Sequence, residues 1–216
     1  MTFEKYNESL SYSYVFGAFG TIELLTRKAD KCKALLVDTS FVKNEAYAKI
    51  VSLCKEHNIS LVVDEKIISK VRDKGNIFVI GVFDKYSSKL TNNNHLVLKD
   101  IDDKGLIGTI IRSMNGFKFN DLILINCNID LFDEHLIRST MGSFFACNIK
   151  FYNDLSSYIN DYKGKHFYNI SNKGNYKLSD INEKENISLI FSESIIDNEN
   201  VSNIEFSKDI SLDRRR

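Results

Sequence analysis

Proline and tryptophan are absent from the 216 residues, while Asn, Lys, Ile and Ser are abundant, a bias expected of an AT-rich genome and without weight for function. Cysteine is scarce: Cys32, Cys54, Cys127 and Cys147 lie far apart, with no Cys-x-x-Cys pair and no His at ligand spacing beside them. That excludes the familiar zinc patterns, so no metal is expected and the thiols are read as reduced residues of a cytosolic core. No apolar run approaches the roughly 18 residues a membrane span needs, and polar, charged residues follow Met1, which points to a soluble, cytoplasmic chain with no membrane partner. Neither sign of charge dominates. Lys+Arg and Asp+Glu stand at 29 each, so any nucleic-acid contact must come from local patches, because counterion release depends on the charges at the contact. His57, His95, His135 and His166 are scattered, and none stands beside a Ser or Cys in a nucleophile motif. Gly105-x-x-Gly108 lacks both the Lys-Ser/Thr of a phosphate loop and the third Gly of a dinucleotide fingerprint, so nucleotide hydrolysis and nicotinamide chemistry score poorly.

What is present is an ordinary globular core, 43% hydrophobic, enough for one large domain or two small ones. The helical spacing of Val15, Ala18, Phe19, Ile22 and Leu25 predicts a first helix over residues 15–25. A strand over 34–37, a helix through Ala46, Ile50, Leu53 and Cys54, a strand over 59–63, a short helix over 67–71, a turn over 73–76 and a strand over 77–83 follow. This alternation predicts a small α/β layer. Residues 87–94, rich in Ser and Asn without hydrophobic periodicity, read as a linker. The second half predicts strands over 95–98, 121–125, 149–151, 166–170 and 187–191, with helices over 105–114, 133–145 and 154–161 between them. Strands separated by helices need crossover connections, hence an α/β fold whose second sheet is mostly parallel with helices on both faces.

Chemistry-bearing segments are spaced along this second half. Asp102-Asp103-Lys104-Gly105-Leu106-Ile107-Gly108-Thr109-Ile110-Ile111-Arg112 is a Gly-x-x-Gly turn running into an apolar-periodic helix, and Arg138-Ser139-Thr140-Met141-Gly142-Ser143 follows it. Phe191-Ser192-Glu193, Ile204-Glu205-Phe206 and Ser211-Leu212-Asp213 come next. In this order they resemble the three motifs of the SpoU/TrmH class of SPOUT RNA ribose methyltransferases. In the family's Asp-Pro-x-Asn-x-Gly-x-x-x-Arg motif, Asp103, Gly108 and Arg112 match, while Lys104 replaces the Pro and Leu106 the Asn. Leu106 can neither donate nor accept a hydrogen bond. Phe191 stands where the family's third motif has a Gly, projecting a ring where backbone approaches a ligand. The chain ends three arginines after that motif, without the family's last helix, so an incomplete trefoil knot is expected.

The resemblance covers nearly the whole chain. It implies a small, ribosomal-protein-like α/β substrate-binding domain over 1–86, the linker over 87–94 and a SPOUT-type domain over 95–216. It further implies transfer of a methyl group from S-adenosylmethionine to a ribose 2′-hydroxyl of ribosomal or transfer RNA by a homodimer. Arg112 would hold the substrate, and Arg138 and Ser139 would assist from a partner subunit. Glu193, Ile204 and Leu212 would line the cofactor site, and Arg27, Lys28, Lys31 and Lys33, the densest basic cluster, would dock RNA together with Arg112. Leu106, Phe191 and the short C-terminus keep an alternative open: a catalytically inactive relic of this fold that binds RNA or protein.

Overall fold

A computed structural model describes residues 3–72 and 76–205, so the turn expected at 73–76 lies largely outside the described residues. Two compact units divide the chain: the first holds residues up to 87 with 103–118 and 129–147, the second 88–102, 119–128 and the described residues from 148 onward. The units are therefore interleaved, and two segments that follow the expected linker group with the first.

In the first unit, β1 (Tyr12–Phe16), α1 (Ala18–Arg27), β2 (Cys32–Val37), α2 (Glu45–Glu56), β3 (Leu61–Val63), α3 (Glu65–Val71) and β4 (Val79–Asp84) form a sheet of order β1-β4-β2-β3. β4 runs antiparallel to β1 and β2, and β3 is parallel to β2. Alternation along β2 sends Ala34 and Leu36 to a core with Ile68 and Val71 of α3, and Leu35 and Val37 to one with Leu25 of α1 and Ile50 and Leu53 of α2. The expected first helix starts too early. Tyr14 and Val15 are strand residues in register with Val82 and Gly81, and the helix begins at Ala18. A run rich in aromatic and β-branched residues took the strand because a partner far along the chain was available.

Two helices from later in the chain complete this unit, α4 (Lys104–Gly116) and α5 (Glu134–Ser139). The single helix expected over 133–145 is broken: Met141 (φ 51) and Gly142 (φ 87) are left-handed, and a short 3-10 turn occupies Ser143–Ala146. Aromatic rings of Phe83, Tyr86, Phe132, Phe144 and Phe145 pack edge-to-face and tilted, with centroids 5.1 to 6.3 Å apart. Ser13 Oγ donates to the Phe132 carbonyl, and Tyr6 to the Asp130 carboxylate. Burial pushes the Cys32 thiol up to about 12, which keeps it protonated and unreactive.

The second unit is a seven-stranded sheet made of β5 (His95–Lys99), β6 (Asp121–Ile125), β7 (Asn148–Tyr152), β8 (His166–Ser171), β9 (Tyr176–Lys177), β10 (Ile187–Phe191) and β11 (Val201–Glu205), with α6 (Leu155–Asp161). All pairings are parallel, in the order β7-β6-β5-β10-β8-β11-β9. The chain lays β5, β6 and β7 outward in one direction, then returns to build β8, β10, β11 and β9 on the other side, so strand order reverses between β5 and β10. β9 and β11 were not expected from sequence. β8 and β9 are separated along the chain only by residues 172–175, yet β11 lies between them in the sheet. The link therefore straddles β11, and a Cβ on Gly174 would fall 2.4 Å from the Glu205 amide nitrogen and 2.5 Å from the Ile204 carbonyl carbon. Among the described residues no helix is long and apolar enough to cross a membrane.

The amino edge of this sheet is closed by buried polar groups. His95 Nε2 lies 2.9 Å from the Thr91 carbonyl, which can only accept, so Nε2 carries the proton. Nδ1 must then accept from the Tyr158 hydroxyl at 2.8 Å, and Tyr158 in turn accepts from Ser188 Oγ at 2.5 Å. Asp121, also buried, accepts from the Thr91 amide at 3.1 Å and from Asn148 Nδ2 at 3.0 Å. Lys165 Nζ donates to the carbonyls of Asn92 and Asn93 at 3.2 and 2.5 Å. Burial, aided by the Lys165 charge, holds the His95 pKa below the ordinary 6.5. The unfolded chain therefore takes up the proton first, and the stability His95 contributes is present above about pH 6.5 and lost as pH falls below it. Urea unfolding between pH 7 and 5 is expected to show a decline with a slope of at most about 1.4 kcal/mol per pH unit from this group, and His95→Gln is expected to remove that component while lowering stability at pH 7.

Candidate functional site

In an open parallel sheet, ligands bind outside the carboxyl ends of the strands where strand order reverses, because loops diverge there and leave a crevice. In the second unit that place is bounded by the ends of β5 and β10, at Lys99 and Phe191. On the β5 side, Asp100 (φ 59) and Asn126 (φ 52) are both left-handed; Asn126 Nδ2 donates to Asp100 Oδ1 at 2.5 Å, and the Asn128 amide donates to Asp102 Oδ1 at 2.6 Å. The Lys99 ammonium, then the Asn126 amide, hold the Asp100 carboxyl below its usual range. On the β10 side, Phe191 follows Leu189 on one face of the strand and ends 36% exposed. Its ring stands at the solvent edge. Residues 192–196 then leave the strand as a loop in which Glu193 is exposed.

The expected cofactor residues separate into three cases. Glu193 lies in this loop. Ile204 is a core residue of β11, in register with Ile170 and packed with Tyr168, Ile170 and Ile187. Leu212 falls outside the described residues. What sequence reasoning missed is the polar pair that joins the Glu193 loop to β11: Asn169 of β8 and Asn203 of β11, bonded at 2.8 Å. A lone Asn in each of two short strands, one of them unrecognised, carried no signal of this partnership.

In the first unit, Asp103 caps α4 by accepting from the Leu106 amide at 2.8 Å, and Lys104 Nζ meets Asp133, itself the cap of α5, at 2.7 Å. The Lys in the family's Pro position thus ties two helix starts together. Leu106 is 48% exposed and Arg112 also faces solvent on α4. Arg138 lies with its guanidinium carbon 4.9 Å from the Phe16 ring centroid, a cation–π contact. Ser139 Oγ donates to the Leu136 carbonyl at 2.7 Å, within 3.4 Å of the Lys104 carbonyl, and abuts Gly108 so closely that a Cβ there would fall 1.7 Å from it. Gly108 and Ser139 are the contact that lets α4 and α5 touch.

The basic cluster is compensated. Arg27 pairs with Glu23 at 2.7 Å, Lys31 with Asp30 at 2.9 Å and Lys33 with Asp84 at 2.8 Å, and Lys28 Nζ lies 5.3 Å from the Tyr86 ring centroid. Such exposed pairs contribute little and yield readily to a polyanion. Among the described residues no group of His, Cys, Asp and Glu is placed to hold a metal ion.

Residues 93–194 match the model of the SpoU rRNA Methylase family. Solved structures resemble the chain along most of its length. An rRNA methyltransferase from Sinorhizobium meliloti is 18% identical, with 91% of this chain and 80% of that one covered and a TM-score of 0.69. The SpoU methyltransferase AviRb from Streptomyces viridochromogenes, in complex with the cofactor AdoMet, is 14% identical, with 93% and 83% covered and a TM-score of 0.72. No curated protein matches the chain. The large parallel sheet with its reversal at β5 and β10 has the α/β fold of these methyltransferase structures. Residues 93–194, just under half of the chain, carry the resemblance to the SpoU rRNA Methylase family.

Because the Ser139 hydroxyl is anchored to a carbonyl, Gly108→Ala has no room to relax locally. It is expected to cost about 1–3 kcal/mol of stability by urea unfolding, as overpacking does, and the double variant Gly108→Ala/Ser139→Gly is expected to recover part of that loss.

Proposed function

We propose that the chain is an RNA 2′-O-methyltransferase that uses S-adenosylmethionine and acts on ribosomal or transfer RNA in the cytoplasm as a homodimer. The observation that carries this reading is the family match over residues 93–194, which spans the strand-order reversal and reaches into the loop that follows β10. We read residues 1–86 as the substrate-binding domain and the segment from 95 onward as the SPOUT domain.

The residues at the carboxyl ends of β5 and β10 fit a nucleoside carrying a sulfonium: an exposed aromatic ring at Phe191 gives a stacking surface, and the exposed Glu193 carboxylate attracts positive charge. When bound, the cofactor supplies a methyl group already activated by its sulfonium. The chain's own task is to bind and orient. Arg112, exposed one turn beyond Gly108, offers a planar fork to ribose and phosphate oxygens. Its high pKa suits it to stabilising the developing charge on the 2′-oxygen rather than to taking the proton as a free base. Arg138, over the Phe16 ring, is a second phosphate contact, and Ser139 keeps the two arginine helices in register. Arg27, Lys28, Lys31 and Lys33 exchange their acidic partners for RNA phosphates.

Calorimetry on the purified chain is expected to show S-adenosylmethionine binding at micromolar levels, with Phe191→Gly about tenfold weaker, the equivalent of about 1.4 kcal/mol of stacking. Tightening in that variant would mean that the ring obstructs the cofactor. With ribosomal and transfer RNA transcripts as acceptors, Arg112→Ala is expected to cut methyl transfer about 100-fold without changing cofactor affinity; equal transfer by both proteins would remove Arg112 from the chemistry.

A further inference from the structure

Asn169 has no solvent exposure, and its side-chain amide is fully engaged. Nδ2 donates to the Ser194 carbonyl at 3.0 Å and to Asn203 Oδ1 at 2.8 Å, while Oδ1 accepts from Ser192 Oγ at 2.9 Å. The Ser192 hydrogen is shared with the Ser194 carbonyl at 2.7 Å. Only this orientation of the amide satisfies every partner, because the Ser194 carbonyl can only accept. Asn203 carries the relay onward. Its Oδ1 also accepts from the Ile196 amide, and its Nδ2 donates to the Ile196 carbonyl, both at 2.9 Å, so that one side chain pairs with Ile196 as a neighbouring strand would.

The residues fixed in this way, 192–196, include the exposed Glu193 and follow directly on Phe191 at the strand-order reversal. They form no helix or strand of their own. A loop of this kind loses conformational entropy when a ligand orders it, and prior ordering removes that cost from binding. We infer that the Asn169–Asn203 amide relay is the template that holds residues 192–196 in the form that receives the cofactor, which makes Asn169 a positioning residue for the methyl donor. This inference rests on the proposed function.

The test uses the full chain and three variants, Asn169→Leu, Ser192→Ala and Ser192→Thr. S-adenosylmethionine affinity is measured by calorimetry at a temperature where each is folded, and amide hydrogen exchange of residues 192–196 is followed without cofactor. Asn169→Leu and Ser192→Ala are expected to speed exchange in the loop and to weaken affinity, the first by about tenfold or more. Ser192→Thr, which keeps the hydroxyl, is expected to restore both. A residue with a purely structural role would lower the melting temperature and leave the affinity of the folded protein unchanged; that result, or faster exchange with unaltered affinity, overturns the inference and leaves the methyltransferase reading standing. Should Asn169→Leu fail to fold, Ser192→Ala decides alone on the same terms. Absence of binding by the unaltered chain overturns the reading, and the inference with it.

Discussion

Seven strands of the second unit all point the same way, and most of what distinguishes its two edges follows from that. Parallel strands place every amino end on one edge and every carboxyl end on the other. At the amino edge, His95, Tyr158, Ser188, Asp121 and Lys165 are buried and spend their polar atoms on one another and on nearby carbonyls. A buried polar group without a partner costs more than its bond gains, so the mutual pairing of these groups fixes this edge. At the carboxyl edge the loops diverge around the reversal between β5 and β10, and the exposed groups there include the Phe191 ring and the carboxylates of Asp100, Asp102 and Glu193. The two edges differ because the polar groups of one have been spent on holding the strands together.

Departures from the family pattern acquire physical roles in the structure. Lys104 exchanges the rigidity of a proline for an ion pair that joins the starts of two helices. Leu106, 48% exposed, lies outside the buried stripe of α4 formed by Ile107, Gly108, Ile111 and Met114. Ser139, expected to assist catalysis, gives its hydroxyl to backbone carbonyls and its small volume to the contact with Gly108. The Gly of the turn motif is thus required by helix packing whatever the helix later binds.

Much of the sheet was legible in the sequence, for a local reason. Runs such as Leu122-Ile123-Leu124-Ile125 are apolar on both faces, as strands buried in a parallel sheet must be, and β5, β6, β8 and β10 were found within a residue or two. β11 was missed because Val201-Ser202-Asn203-Ile204-Glu205 has only two buried apolar positions, and its strand character comes from lying between two partners. β1 was drawn into a helix because the residues of β4 that pair with it are far away in the chain. The site was legible only as residue types. Arg112, Arg138 and Glu193 could be named, whereas the Asn169–Asn203 pair arises from a strand order that no local pattern encodes. The interleaving of the two units escaped for the same reason: α4 and α5 lie between strands in the sequence but group with another layer in space.

The strap over β11 has a consequence for synthesis. During translation, β8 and the 172–175 link emerge before the residues of β11 exist, and until those arrive the β8 edge carries unpaired amides and carbonyls. β9, whose pairing runs through β11, cannot cover that edge in the meantime. The nascent chain therefore carries an adhesive strand edge for the roughly thirty residues of synthesis that separate β8 from β11, and the later strand has to seat itself under the 172–175 link. A bulkier residue at position 174 would meet the β11 backbone as that strand arrives, so the glycine bears on the seating of the strand as well as on the finished fold.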